Sequence, residues 1–331
     1  MYLCSQFCVL MLRLSFIVPV FGVEKYIEEC IRSLYHQDIP KEEYEVICVD
    51  DCSPDNSAVI IERLQSEYPT LKLLRHTENK RQGGARNTGL REAQGRYVWF
   101  IDSDDYIQPN CLKALLNQAE SEQLDVLQIY YAYNGKIRTD MIEYGPCTGS
   151  QYVFDAPMSD KPAIRCCCAC EGLVLRDLLI RNNIWFAEKV QFEDDDYAYM
   201  MFAAAQRVHL MPLPVYFVRV RPNSTMHSNH SLQMTSYYTQ QVERMIAIEP
   251  KLQLADTRWP QLVREIVHWT CCELILHDLN WLSPEDQHRF FSEKMGYISG
   301  LRKFVSWKIW LAMHFYICYK KWFGKGNGVY A

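Results

Sequence analysis

From Arg13 to about Tyr131, short apolar runs alternate with stretches whose apolar residues recur at helical spacing. That alternation belongs to a parallel sheet with helices laid over its faces. Strands are expected at Leu14 to Val20, Tyr44 to Val49, Leu71 to Leu74 and Tyr97 to Ile101. Between them, Ile27, Cys30, Ile31 and Leu34 mark a first helix, Ile60, Ile61 and Leu64 a second, and Ala85 to Ala93 a third. The second strand runs into Asp50 and Asp51, and the fourth into Asp102, Ser103, Asp104 and Asp105. Ligands of such sheets sit at the carboxyl ends of the strands, so both acidic ends face one crevice. Three acids within four residues repel one another, and a divalent cation, or a polyanion held by one, would neutralise them. An ordinary acidic turn is the competing reading.

Composition narrows the class. A chain of 331 residues that is 49% apolar can bury one large core or two modest ones, and we expect a catalytic domain with an appendage. A formal charge of −5 and the lack of any RNA or DNA module signature argue against a nucleic-acid partner. No Gly-x-Gly-x-x-Gly turn follows the first strand and no Walker lysine loop is present, so neither a dinucleotide nor a P-loop nucleotide site is expected. The 14 cysteines are scattered apart from Cys166, Cys167, Cys168 and Cys170, which stand too close together for paired zinc spacing and read as reduced, buried thiols. His227 and His230 read as solvated loop residues.

Four segments, in order and spacing, resemble the family 2 inverting glycosyltransferases of the GT-A fold. They are Ile17-Val18-Pro19-Val20-Phe21, then Val49-Asp50-Asp51 with Ser53 and Asp55 after it, then Gly83-Gly84-Ala85-Arg86-Asn87-Thr88-Gly89 read as a Gly-rich turn opening a helix, and the acid cluster itself. The match is close over about Ser15 to Asn110. The resemblance implies an α/β, Rossmann-like fold: a mostly parallel central sheet flanked by helices, with a helical C-terminal extension. It implies that Pro19, Phe21 and Asp51 receive the nucleotide of a nucleoside-diphosphate sugar, with Asp50 assisting and Arg86 or Arg81 along the same wall. It places Asp102 near the ribose and gives Asp104, with Asp102, to Mn2+ or Mg2+, which would stabilise the leaving diphosphate.

Inversion also needs a base to take the acceptor's proton. Phe192-Glu193-Asp194-Asp195-Asp196-Tyr197 supplies acids at a helix start, where they also complement the helix dipole. The segment Asn183-Ile184-Trp185-Phe186 precedes it as in family members, so the resemblance nominates Asp194 as base, with Glu193 as its rival. Farther on, Arg219 and Arg221 alternate to one face of an extended strand, where they would meet the diphosphate or an anionic acceptor, or form a solvated edge. The sequence departs from the family at Gly22, at Ala187-Glu188-Lys189 and throughout Asn134 to Cys170, which matches no marker. The Gln-x-x-Arg-Trp box and spanning helices of the family's processive polymerases are missing, so one sugar per encounter is expected.

These readings divide the chain into an N-terminal extension at 1–12, with Met11 an alternative start and no signal-peptide pattern, a catalytic domain at 13–225, and a helical region at 226–331. The catalytic domain comprises a nucleotide-sugar half, 13–131, and an acceptor half, 132–225. Leu301 to Trp322 is rich in aromatics, basic at both ends and free of acids, a composition suited to lying on an anionic membrane surface or to packing on the catalytic domain. The enzyme is therefore expected in the cytoplasm, peripheral on the inner face of a bacterial cell membrane, acting on a saccharide or lipid-linked saccharide in envelope or exopolysaccharide synthesis. A sugar-nucleotide pyrophosphorylase and a noncatalytic scaffold of the same fold are the alternatives.

Overall fold

The computed structural model describes residues 12–133, 135–136, 141–156, 169–220, 232–273, 282–283, 285–287, 289–290, 292–293, 300–307 and 310. They fall into two compact units, Met1–Pro222 and Asn223–Ala331.

In the first unit, strands β1 (Leu14–Val20), β2 (Tyr44–Asp50), β3 (Leu71–Arg75) and β4 (Tyr97–Phe100) lie in the order β3-β2-β1-β4, every pairing parallel. All seven residues of β1 and of β2 are buried, as strands covered on both faces must be. One face carries Phe16, Val18, Tyr44, Val46 and Trp99 against helix α1 (Ile27–Tyr35) and helix α4 (Leu112–Ser121). Pro19 stands near the end of this central strand without breaking it. Ile17 faces β4, where its carbonyl accepts from the Ile101 amide, so Pro19, two residues on, faces the same side after β4 has ended and no donor is required.

Antiparallel pairing begins beyond β4. Strands β5 (Tyr106–Ile107), β6 (Val126–Tyr133), β7 (Tyr144–Cys147), β8 (Gly172–Leu175) and β9 (Val208–Val218) continue the sheet in the order β4-β8-β6-β9-β5, with β7 also on β9. Among the described residues only β6 and β9 pair parallel in this half. Helix α2 (Ser57–Gln65) follows β2, α3 (Arg81–Glu92) follows β3, and α5 (Gly149–Asp155), α6 (Arg176–Arg181) and α7 (Asp194–Ala204) belong to the second half.

The glycines Gly83 and Gly84 lie inside α3, not in a turn before it. Glycine is needed at position 83 for closeness: a Cβ there would stand 2.1 Å from the Ala187 carbonyl oxygen. Gly83 thus lets the chain ahead of α7 lie directly on α3, while a Cβ at Gly84 would meet the Lys80 side chain at 2.3 Å.

The second unit contains α8 (Leu232–Ala255), with Pro250 inside it, and α9 (Trp259–Glu273) packed against it. Asp256 accepts from the Arg258 amide at 2.8 Å in the turn between them. Among the described residues no helix is long and apolar enough to cross a membrane. Most of the Leu301 to Trp322 stretch, Cys166 to Cys168, both loop histidines and the first 11 residues lie outside the described residues.

Candidate active site

The parallel half fixes where its acids meet. Val20 is in register with Asp50, and Ile17 with Phe100, so the turns after β1, β2 and β4 open at one edge of the sheet. Phe21, directly after β1, is 51% exposed there. The turn around Phe21 is tied to the one after β2: the amides of Val23 and Glu24 donate to Ser57 Oγ and Asp55 Oδ2 at 3.0 and 2.9 Å.

Asp50 and Asp51 part ways. Asp50 caps its own turn, accepting from the Ser53 amide at 3.2 Å, while Cys52 takes a left-handed φ of 65°. Asp51 is 2% exposed. Its Oδ1 accepts from the Lys80 amide at 2.7 Å and faces His76 Nδ1 at 2.6 Å, whereas Oδ2 is buried without a partner. A buried carboxylate oxygen left this way has hydrogen-bonding capacity unsatisfied by the described residues. Nothing in the sequence pattern nominated His76, a single histidine just past β3.

After β4 the acids alternate in and out. Asp105 is buried; it accepts from the Tyr216 hydroxyl at 2.8 Å and from the Arg219 amide at 2.8 Å. Burial pushes its carboxyl up to about 7, with the charges of Asp102 and Asp104 adding to the effect. Asp102 and Asp104 remain half-exposed. Arg219 braces this turn: Nε donates to the Asp104 carbonyl at 3.1 Å, Nη2 to Glu29 at 2.8 Å, and the guanidinium lies over the rings of Tyr26 and Tyr106. Arg221 lies outside the described residues, and Arg81 opens α3 at a left-handed φ of 62°.

Arg86 is the hub. It sits on α3 with its side chain 3% exposed, and it draws together carboxylates far apart in sequence. Nη2 donates to Asp102 at 2.8 Å, and Nη1 to Glu193 at 2.6 Å and to Asp194 at 2.7 Å. Arg86 thus joins the acid after β4 to the two acids at the start of α7. Burial opposes its charge, but Asp194, Asp102 and Glu193 outweigh burial and hold it protonated. The Phe186 ring backs the guanidinium at 5.2 Å and stacks on Tyr197 at 3.9 Å, closing the inner side with apolar surface.

The segment entering α7 is clamped to the same helix. Asn87 donates to the Phe186 carbonyl at 2.9 Å and accepts from its amide at 3.0 Å, and it also donates to Glu188 at 3.0 Å. Three adjacent features of α3 thus set the position of α7: Gly83 by contact, Arg86 by charge and Asn87 by paired hydrogen bonds. The two acids at the start of α7 differ in access, Glu193 keeping 6% of its side chain exposed and Asp194 27%. Burial pushes the Asp194 carboxyl up, to about 8; Arg86 pulls it down, and Glu193 and Asp102 push it further up.

One guanidinium facing three carboxylates leaves the cluster net negative, which suits a hard cation. Among the described residues no three His, Cys, Asp or Glu side chains form a complete metal cage. Asp102 and Asp104 nonetheless fit a cation of the magnesium kind, which is held by one or two carboxylates and completes its shell with substrate phosphates and water. Cys30, Cys48, Cys52, Cys111, Cys147, Cys170 and Cys271 are free thiols, all of them buried except Cys52 and Cys147.

Known proteins resemble this chain in sequence and fold. Residues 15–182 match the model of the family described as Glycosyl transferase family 2. The chain is 30% identical over 241 residues to a Bacillus subtilis protein named as the uncharacterized glycosyltransferase EpsJ, covering 70% of this chain and 68% of EpsJ. It is 29% identical over 247 residues to the Staphylococcus aureus poly(ribitol-phosphate) beta-N-acetylglucosaminyltransferase TarS, covering 72% of this chain but 40% of TarS. The crystal structure of TarS residues 1–349 with UDP-GlcNAc superposes with a TM-score of 0.70 at 24% identity, over 93% of this chain and 88% of that one. A Pyrobaculum calidifontis mannosyltransferase solved with GDP-Man and Mn2+ gives 0.54 at 19% identity, over 95% and 88% of the two chains. With the sheet, the acid-bearing turns and these relatives agreeing, the chain belongs to glycosyl transferase family 2 and is a glycosyltransferase of the GT-A fold.

Proposed function

We propose that this enzyme moves one sugar from a uridine-diphosphate sugar to an acceptor hydroxyl, inverting the anomeric carbon, in the synthesis of a cell-envelope polysaccharide of the teichoic-acid or exopolysaccharide kind. The observation that carries the proposal is the gathering of Asp102, Glu193 and Asp194 around buried Arg86. It supports a site in which the donor's diphosphate and the acceptor's attacking oxygen lie side by side.

The geometry supports a role for each part. Exposed Phe21 offers a ring for the base to stack on, with Pro19 and Asp50 shaping the turns beside it, and the unpartnered Oδ2 of Asp51 offers an acceptor for a ring N–H. Asp102 and Asp104 would hold Mn2+ or Mg2+, which when bound supplies Lewis-acid stabilisation of the charge growing on the leaving diphosphate. Asp194 is the base: it is the more open of the two acids at the start of α7, and its raised proton affinity suits taking a proton from a sugar hydroxyl near neutral pH. Glu193, more deeply buried, accepts from Arg86 and helps hold the guanidinium in place. Arg86 keeps the base and the metal-side acid a fixed distance apart.

The donor base follows the UDP-GlcNAc seen in the TarS crystals, and the acceptor class follows the poly(ribitol-phosphate) named for that relative. The acceptor is a saccharide or lipid-linked saccharide, and the basic aromatic run after Leu301 lays the enzyme on the inner membrane surface where such lipids reside.

The test is incubation of the full chain with Mn2+ and a panel of nucleotide sugars, reading nucleoside diphosphate release. Release from a UDP-sugar is expected, reduced at least about 100-fold in Asp104→Asn. Exchange of pyrophosphate into the donor would identify a pyrophosphorylase instead. Silence across the panel would contradict any transferase reading of this site.

A further inference from the structure

We infer that His76 is a positioning residue for base selection: it fixes the Asp51 carboxylate so that Oδ2 is a single, immobile acceptor, admitting bases with a ring N–H and rejecting those with a bare ring nitrogen. This rests on the proposal that Asp51 receives the base.

Both hydrogen bonds to the Asp51 side chain fall on one oxygen. Oδ1 takes the Lys80 amide at 2.7 Å and faces His76 Nδ1 at 2.6 Å, and Oδ2 takes none. A carboxylate only accepts, so Nδ1 must carry the proton of that bond. The other ring nitrogen, Nε2, lies 2.9 Å from Thr88 Oγ1, a hydroxyl able to donate to a neutral ring or accept from a charged one. With both nitrogens engaged and 7% of its side chain exposed, the ring can neither flip nor turn. The Asp51 backbone is held as well, its amide donating to the Val20 carbonyl and its carbonyl accepting from Asn79. Every rotation that would let Oδ2 trade places with Oδ1 is opposed.

That immobility has a chemical reading. Uracil at N3 and guanine at N1 present an N–H, which an acceptor-only oxygen welcomes. Cytosine at N3 and adenine at N1 present a lone pair, which would face another lone pair. Thr88 sits two residues after Arg86 on α3, so the helix that gathers the reacting-end carboxylates also anchors base reading.

Equilibrium binding of UDP, CDP, GDP and ADP to the full chain with Mn2+, measured by calorimetry, tests this in wild type, Asp51→Asn, His76→Ala, His76→Asn and Thr88→Val. The wild type should favour UDP over CDP, or GDP over ADP, by about 100-fold or more, and Asp51→Asn should abolish the preference. His76→Ala should cut the ratio at least about tenfold, by freeing the carboxylate to turn. His76→Asn, whose amide N–H stands where Nδ1–H stood, should restore much of it, and Thr88→Val should lie between. A purely structural histidine would weaken both members of a pair alike and leave the ratio untouched, which overturns the inference. Should His76→Ala not fold, an unchanged ratio in Thr88→Val overturns it equally. A wild type that does not discriminate defeats the base-site reading itself. A wild type that discriminates through Asp51, with His76 variants that still do, defeats only the role of His76.

Discussion

At the scale of single residues, the site is a problem of charge: three carboxylates around one buried guanidinium, with Asp194 left holding its proton more tightly than a free aspartate. A base must be deprotonated to act, so kcat/KM should climb with slope about one as pH rises and level off near the Asp194 value of about 8. Glu193 pushes that value up, so Glu193→Gln should move the rising limb to lower pH; a limb that stays put or moves up would remove Asp194 from the role of base. The acids themselves were legible in the sequence because each follows a strand or opens a helix, as the family pattern has it. Their relation was not, because Arg86 contacts Glu193 and Asp194 across more than 100 residues, and no periodicity encodes such a contact. His76 was silent for a similar reason: a lone histidine past a strand carries no pattern until its two partners are in view.

At the scale of elements, α3 organises the site and also shows where sequence reading misjudged the local structure. Glycines at 83 and 84 signal a turn by composition, and glycine weakens a helix interior, yet the helix begins before them. Tertiary contact outweighs propensity because the Ala187 carbonyl occupies the space a side chain would take. Gly83→Ala should therefore destabilise the protein by about 1–3 kcal/mol although alanine is the better helix former, read as a fall in the chemical denaturation midpoint. An unchanged or raised midpoint would show that the chain ahead of α7 yields freely. Asn87→Ala, which removes both bonds to the Phe186 backbone, should cost about 1–3 kcal/mol and lower turnover more than donor affinity, since it loosens α7 and leaves the base site alone. By contrast β1 was read to the residue and β2 to within one, since a strand buried on both faces is a plain apolar run. The antiparallel half was not resolved: β8 inserts between β4 and β6 by an order that short, mixed runs do not reveal.

At the scale of the whole molecule, the donor-side residues all belong to the first unit, and the basic aromatic run belongs to the second. If that run serves as a membrane contact, the full chain should float with vesicles rich in phosphatidylglycerol, remain behind with neutral phosphatidylcholine, and be released by molar salt; equal behaviour with both lipids would remove the membrane from the account. The enzyme's central claim is narrower, that Asp194 acts on the acceptor and not on donor binding. The most direct test is Asp194→Asn, an isosteric change that keeps an oxygen for Arg86, with donor affinity and sugar transfer measured on one preparation. The account predicts a donor Kd within about threefold of wild type and transfer lowered by about 100-fold or more. Transfer that survives, or transfer and donor affinity that fall together, would contradict it.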